Sequence, residues 1–398
     1  MAFLDRRSPP HLVTLVLMAG MAALTMNIFL PSLAGMARDF GVDYRVMQLS
    51  VSAYLAVSAV LQLLIGPVSD RYGRRPVALG SLALFLLATL GTLLAPNAGV
   101  FLAFRMAQAI IATCMVLSRA VVRDMVGGAQ AASMIGYVTM GMSLVPMIGP
   151  VLGGALDEAF GWRANFAALL ILGAAVTALV WADLGETGAT GGGSFAAQLR
   201  QYPALLRSRR FWGYCLAATS ASGAFFAYLG GASFIGAQVF HLSPAVLGYY
   251  FTAPAIGYAI GNFVSGRFSV HLGLDRMILW GGVIATGALL LALLLDLAGL
   301  RHPLAFFPFV GLMAFGNGMV LPNANAGMMS VRPELAGSAS GLGGALNIGG
   351  GAALAAVSGA MLTEGTGALV LLSIMAASSA LTVAAAIWVE ARKAQLGL

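Results

Sequence analysis

Gly66-Pro67-Val68-Ser69-Asp70-Arg71-Tyr72-Gly73-Arg74-Arg75-Pro76 places four charges within eleven residues of a chain that is otherwise strongly apolar. A long apolar run enters this stretch and another leaves it. A short basic connection between two hydrophobic spans is retained on one side of a membrane, and its glycines allow two helix ends to approach closely. The stretch is therefore either a topological anchor or part of a moving gate.

Only 9% of the 398 residues are charged and 60% are hydrophobic, with a mean hydropathy of +0.90. A water-soluble domain carries about 25% charged residues, so this composition requires a membrane. Apolar runs long enough to cross a hydrocarbon core of about 30 Å recur at 12–37, 46–68, 77–95, 99–124, 130–156, 163–184, 211–238, 244–270, 276–298, 303–330, 335–362 and 366–389. They predict an all-α integral membrane protein with twelve transmembrane helices. Runs of this length exclude a β-barrel, which would show short alternating segments. The second run is the least apolar, with Gln48, Ser50, Ser52, Tyr54, Ser58 and Gln62 along it. The first run follows Arg6 and Arg7 and is too long for a signal-peptide core, so it reads as a first span.

Sixteen of the 21 lysines and arginines fall on the side expected to carry both termini; Arg38, Arg45, Arg105, Arg163 and Arg301 fall on or toward the other. Positive charge stays inside, so both termini are expected in the cytoplasm and the protein in the cell inner membrane. The net charge of +7 is thus a topology signal, and nucleic acid is not an expected partner. Cys114 and Cys215 lie within spans and read as small core residues. His11, His241, His271 and His302 sit near loops without metal-ligand spacing, so no metal or cofactor site is expected, and a membrane-embedded enzyme lacks its reacting groups.

The first half repeats in the second. An offset of 200 residues places Gly66 on Gly266, Ser69 on Ser269, Gly73 on Gly273 and Arg71 on His271, whereas Asp70 meets Val270. The expected organisation is a six-helix bundle at 1–184, a cytoplasmic linker at 185–210 and a second six-helix bundle at 211–398. Within the linker Phe195, Leu199, Tyr202, Leu205 and Leu206 recur at helical spacing among arginines. That pattern suits a surface-lying amphipathic helix, or an irregular segment broken at Pro203.

Charged side chains inside spans are expensive and informative. All fourteen acids fall in loops or near span ends, and none lies at a predicted midplane. Arg105 is the basic exception. A buried guanidinium needs acceptors, and Gln108 one turn on and carbonyls of a neighbouring span are candidates; the alternative is an arginine snorkelling to the outer surface. Asn27 and Pro31 sit in the second half of the first span, where a buried amide faces a polar cavity or bonds a neighbouring helix, and Asn262, Asn317, Asn323, Asn325 and Asn347 place further amides in the second half of the chain. Gly149 and Gly153 stand four apart, leaving one helix face bare for close packing.

The opening stretch resembles the signature between spans two and three of the major facilitator superfamily. Arg105 with Gln108 is similar to that superfamily's fourth-span motif, departing from it at Ala109. Gly149-Pro150-Val151-Leu152-Gly153-Gly154 resembles the fifth-span motif of drug exporters that exchange substrate for protons. Asn27-Ile28-Phe29-Leu30-Pro31, Arg119-Ala120-Val121-Val122-Arg123-Asp124 and Gly318-Met319-Val320-Leu321-Pro322-Asn323-Ala324-Asn325 resemble the bicyclomycin/chloramphenicol-resistance branch. The likeness implies a monomeric exporter working by alternating access, with small amphipathic or lipophilic substrates, membrane lipid and protons as partners.

It also implies a cavity lined by spans 1, 4, 7 and 10. Helical spacing then nominates Asn27, Leu30, Gln108, Met115, Phe226, Asn317 and Asn323, with Tyr54, Met142 and Tyr258 at the flanks. Gly66, Asp70, Arg71, Gly73, Arg74 and Arg75, with Arg123, form the expected latch, Asp70 pairing with arginines across the cytoplasmic seam. Arg105, Gly149, Pro150, Gly153 and Gly154 form the expected coupling and packing motifs. One departure bears on mechanism: the branch usually carries an aspartate where this chain has Asn27, and an amide does not titrate. A substrate-specific metabolite carrier without proton coupling is the competing reading.

Overall fold

A computed structural model describes residues 4–126, 134–135, 137–138, 142, 145–188, 202–332, 335–363 and 367–396. Among these, every regular element is a helix. The first half comprises α1 (Leu12–Asn27), α2 (Leu33–Asp39), α3 (Tyr44–Tyr72), α4 (Arg74–Leu93), α5 (Ala98–Gln108), α6 (Ala112–Met125), α7 (Val145–Phe160) and α8 (Arg163–Asp183). The second comprises α9 (Arg209–Phe234), α10 (Pro244–Tyr250), α11 (Thr252–Leu272), α12 (Leu274–Leu297), α13 (Phe307–Ser330), α14 (Ala336–Met361) and α15 (Leu369–Leu396).

Ten helical stretches among the described residues are long and apolar enough to cross a membrane. Two of the twelve expected spans are not among them. The continuous described part of the fifth is α7, which begins at Val145. The eighth corresponds to α10 and α11, and α11 carries Asn262, Ser265, Arg267, Ser269 and His271 in its second half. Of the expected linker helix, residues 202–206 are helical with Leu205 buried, and residues 189–201 lie outside the described set.

Local chemistry accounts for the breaks. Pro31 has no N–H and its ring crowds the carbonyl four residues back, so α1 stops at Asn27 and a 3-10 turn, Leu30–Ser32, leads into α2. Asp43, Asn97, Ser208 and Ser243 cap helices by accepting a backbone N–H just inside them. The 200-residue repeat reappears in backbone form. Gly73 ends α3 at φ 96° with its N–H on the Ser69 carbonyl, and Gly273 ends α11 at φ 84° with its N–H on the Ser269 carbonyl. A side chain is strained at such a φ, so both reversals require glycine.

The apolar core is distributed unevenly between the two ends of the molecule. One large cluster runs through the first half and continues into the second through Leu30, Tyr44, Tyr228 and Phe234, at the end remote from the termini. At the terminus-bearing end a separate cluster of Leu205, Phe211, Tyr214 and Ala217 belongs to the second half alone.

Candidate functional site

Arg105 is fully buried near the middle of the first half. Its Nη1 donates to Gln108 Oε1 (2.8 Å), its Nη2 to the Thr25 carbonyl (3.0 Å) and its Nε to the Ser50 carbonyl (3.2 Å). The guanidinium carbon also stands 4.1 Å from the Tyr54 ring centroid and 4.4 Å from that of Phe29. A buried cation without a carboxylate survives only if dipoles and ring faces replace its water. Here α1, α3 and α5 each supply such groups, so one side chain ties three helices. Gln108 extends the network by donating to Thr89 Oγ1 on α4 (2.8 Å). With both ends of its amide engaged and no exposed surface, Gln108 sits in the packing rather than on an accessible wall.

The halves meet at the end remote from the termini. Tyr44 Oη donates to the Gly230 carbonyl (2.9 Å) and Gln48 Nε2 to the Ala355 carbonyl (2.7 Å), both buried. Ser233 Oγ donates to the Leu30 carbonyl, and the Tyr44 and Phe234 rings pack at 5.1 Å. At the rim Ser243 Oγ (3.1 Å) and the Ala245 N–H (3.3 Å) donate to Glu158. Gln48 fits a notch between helices: a methyl group on Gly230 would stand 2.7 Å from its Nε2, and one on Gly359 would collide with its side-chain amide. Among the described residues, the hydrogen bonds between the two halves gather in this seam.

At the opposite end the charges pair within each half. Arg74 is the hub of the first: Nη1 contacts Asp70 Oδ1 (2.5 Å), Nε contacts Asp124 Oδ2 (2.9 Å) and its backbone N–H donates to Glu186 Oε1 (2.7 Å). The Arg75 N–H also donates to Glu186, which therefore sits at the N-terminus of α4, where a carboxylate is favourable. Asp70, expected to pair with arginines across the seam, is bonded here to Arg74 of its own connection. Arg71 and Arg123 are exposed, the former over the Tyr72 ring, and Arg75 Nη2 donates to the Trp181 carbonyl. In the second half Asp275 accepts from Lys393 Nζ (2.5 Å) and Tyr214 Oη (2.8 Å). A methyl group on Gly66 would meet nothing within 4 Å, so no close approach requires that glycine in this conformation.

The nominated cavity residues divide in two. Asn27, Leu30, Tyr54, Asn317 and Asn323 are buried with Gln108, whereas Met115, Met142, Phe226 and Tyr258 are half-buried. Asn27 Nδ2 donates back to the Ala23 carbonyl (2.7 Å). Asn317 Nδ2 reaches the Ala221 carbonyl on α9 (2.8 Å), and Asn323 Nδ2 reaches Ser265 Oγ on α11 (2.8 Å), so both amides stitch α13 to its neighbours. Within the fifth-span motif, Gly153 lies against the Ile28 carbonyl and Gly154 against the Pro244 carbonyl, where any side chain would collide with backbone. Gly149 is less crowded, its nearest neighbour being Leu24 Cδ1 at 3.4 Å from an added methyl. Pro150 is buried.

Four residues outside the nominated set also belong to this arrangement. Tyr44, Gln48 and Glu186 make the contacts described above. Arg119, on α6 one turn before Arg123, is exposed. The polar character of the second span pointed to Gln48; Arg119 stood out only as part of a longer motif.

Comparison with known proteins agrees with this architecture. The Major Facilitator Superfamily family model matches residues 15–356. The chain is 31% identical over 372 residues to Multidrug resistance protein D of Escherichia coli, covering 92% of this chain and 93% of that protein. It is 31% identical over 325 residues to the Chloramphenicol resistance protein of Pseudomonas aeruginosa, covering 80% and 76% respectively. A bacterial homolog of the human lysosomal transporter Spinster, solved in an inward-facing and occupied conformation, shares the fold at a TM-score of 0.74 and 17% identity over 95% of each chain. A multi-pass helical chain with these relatives is a transporter rather than an enzyme, and it belongs to the Major Facilitator Superfamily.

Proposed function

We propose that this protein exports small amphipathic or lipophilic compounds across the inner membrane by alternating access, with both termini in the cytoplasm. The observation that carries the reading is the asymmetry of the seam: bonds between halves gather at one end, and charges pair within halves at the other. With the terminus-bearing end inside, this conformation is open to the cytoplasm and loads substrate there. The names of the Escherichia coli and Pseudomonas aeruginosa relatives support a drug-like substrate class. The test is uptake of radiolabelled chloramphenicol into everted membrane vesicles. Uptake above that of vesicles lacking the protein is expected; equal uptake with this probe and with a lipophilic dye overturns the reading.

Asn27 has no proton to release, so coupling in this chain does not run through that side chain. Asn27→Asp in the same vesicles is expected to make flux respond more strongly to an imposed pH gradient. An unchanged response would sink the idea that this position governs coupling.

A further inference from the structure

Residues 4–11, which precede α1, are fastened to the end of α8, the last helix of the first half. Asp183, the final residue of α8, is fully buried. Its three hydrogen bonds all come from the segment ahead of α1 and the first turn of that helix. Oδ1 accepts from the Leu4 N–H (2.8 Å), and Oδ2 accepts from the His11 N–H (2.8 Å) and from Thr14 Oγ1 (2.6 Å). A carboxylate at a helix C-terminus meets the negative end of the macrodipole, and burial adds to the cost. The acid is accommodated because this segment supplies charge-assisted donors to both of its oxygens. Leu4 stands at φ 64°, a left-handed conformation that a leucine adopts only under restraint. Arg6 adds two contacts: its guanidinium carbon lies 3.7 Å from the centroid of the Trp181 ring, and its carbonyl lies so close to Gly185 that no side chain fits there.

The same stretch of chain is gripped from its other side by the entry to α4. The Trp181 carbonyl accepts from Arg75 Nη2 (3.1 Å). Glu186, next after Gly185, accepts from the N–H groups of Arg74 (2.7 Å) and Arg75 (3.2 Å). Arg74 in turn holds Asp70 and Asp124. The first N–H groups of a helix have no acceptor within it, so the placing of Glu186 decides whether these two are satisfied. We infer that Asp183 is a positioning residue: by binding the segment ahead of α1 it sets where Glu186 stands, and so holds the Arg74 hub in register.

The test is residue-resolved hydrogen exchange on the full chain in neutral detergent, unchanged and as Asp183→Asn and Glu186→Gln. Asp183→Asn is expected to speed exchange at Leu4 and His11 and also at Arg74 and Arg75, each by roughly tenfold, the loss of about one charge-assisted hydrogen bond. The remote seam around Gly230 should keep its protection. Glu186→Gln should speed exchange at Arg74 and Arg75 alone, leaving Leu4 and His11 as they were. If Asp183→Asn frees Leu4 and His11 while Arg74 and Arg75 stay protected, the strap is only a local clasp and the inference is overturned; a rise that reaches the remote seam equally overturns it too. Should Asp183→Asn not fold, Thr14→Val removes one of the three donors and gives the same comparison. In everted vesicles Asp183→Asn should lower the maximal rate of chloramphenicol uptake without moving the concentration that gives half of it. An unchanged rate, or a change in that concentration alone, overturns the positioning role. This last arm rests on the export reading, whereas the exchange arms need no substrate and decide the inference without it.

Discussion

Gln48 and Arg105 show how differently single polar residues act in this membrane protein. Gln48 gives one hydrogen bond to the second half, and Ala355 keeps a second donor in Ser358 when it is lost. Gln48→Leu therefore removes about 1 kcal/mol from the seam without orphaning its acceptor, a roughly fivefold change in the balance of conformers. Single-molecule distance measurements across the remote end should show that shift, and an unchanged distribution would mean the seam is held elsewhere. Arg105→Gln, by contrast, strips partners from Thr25, Ser50 and Gln108 at once, and each buried group left unpaired costs about 1–3 kcal/mol. Its expected signature is a lower melting temperature together with lost transport. Arg105 was legible from sequence because it has no acid nearby and Gln108 follows one turn later. Tyr44 was not, since its partner lies 186 residues away and nothing local announces it.

Helix α7 packs on α1 through glycines that look equivalent in sequence and are not equivalent in space. Gly149→Ala places a methyl at ordinary contact from Leu24 and should preserve expression and flux. Gly153→Ala drives the same methyl into the Ile28 carbonyl and should abolish folded protein, as judged by gel-filtration yield. Equal behaviour of the two variants would contradict the geometry. The four-residue spacing was visible in the chain; which glycine takes the load depends on how Pro31 redirects the partner helix. At the other end of the first half, Glu186 binds the first turn of α4, so Glu186→Gln should loosen the α4 entry while leaving the Asp70–Arg74–Asp124 pairs intact. Hydrogen exchange at Arg74 and Arg75 should rise locally, with no change at the remote seam.

At the level of the whole molecule, Gly66 and its repeat Gly266 face space in which an added methyl meets nothing within 4 Å. Replacing glycine by alanine within a helix stabilises by roughly 0.5–1 kcal/mol when nothing obstructs the methyl. The ring of Pro67 works against a helical alanine at the position before it and offsets that gain, so Gly66→Ala should leave the melting temperature of this conformation near its starting value. If the halves close on that face during transport, flux falls while stability does not, and retention of full flux would show that Gly66 is not a closing surface. The basic connection around it disclosed the membrane class. It did not disclose that Asp70 pairs within its own half here, because a single sequence does not say which charges meet in a given conformation.

The buried bonds of the remote seam share one property: Tyr44, Gln48 and Ser233 are donors, and every acceptor is a main-chain carbonyl. A carbonyl survives any substitution of the residue that bears it. The hydrogen bonds of the seam are thus exposed to mutation chiefly from the donor side, and where bulk at Gly230 or Gly359 would evict Gln48. Selection for altered substrate range should therefore collect seam changes at a few donors and notch glycines, while Leu30 and Ala355 are constrained by their burial rather than by the bonds they accept.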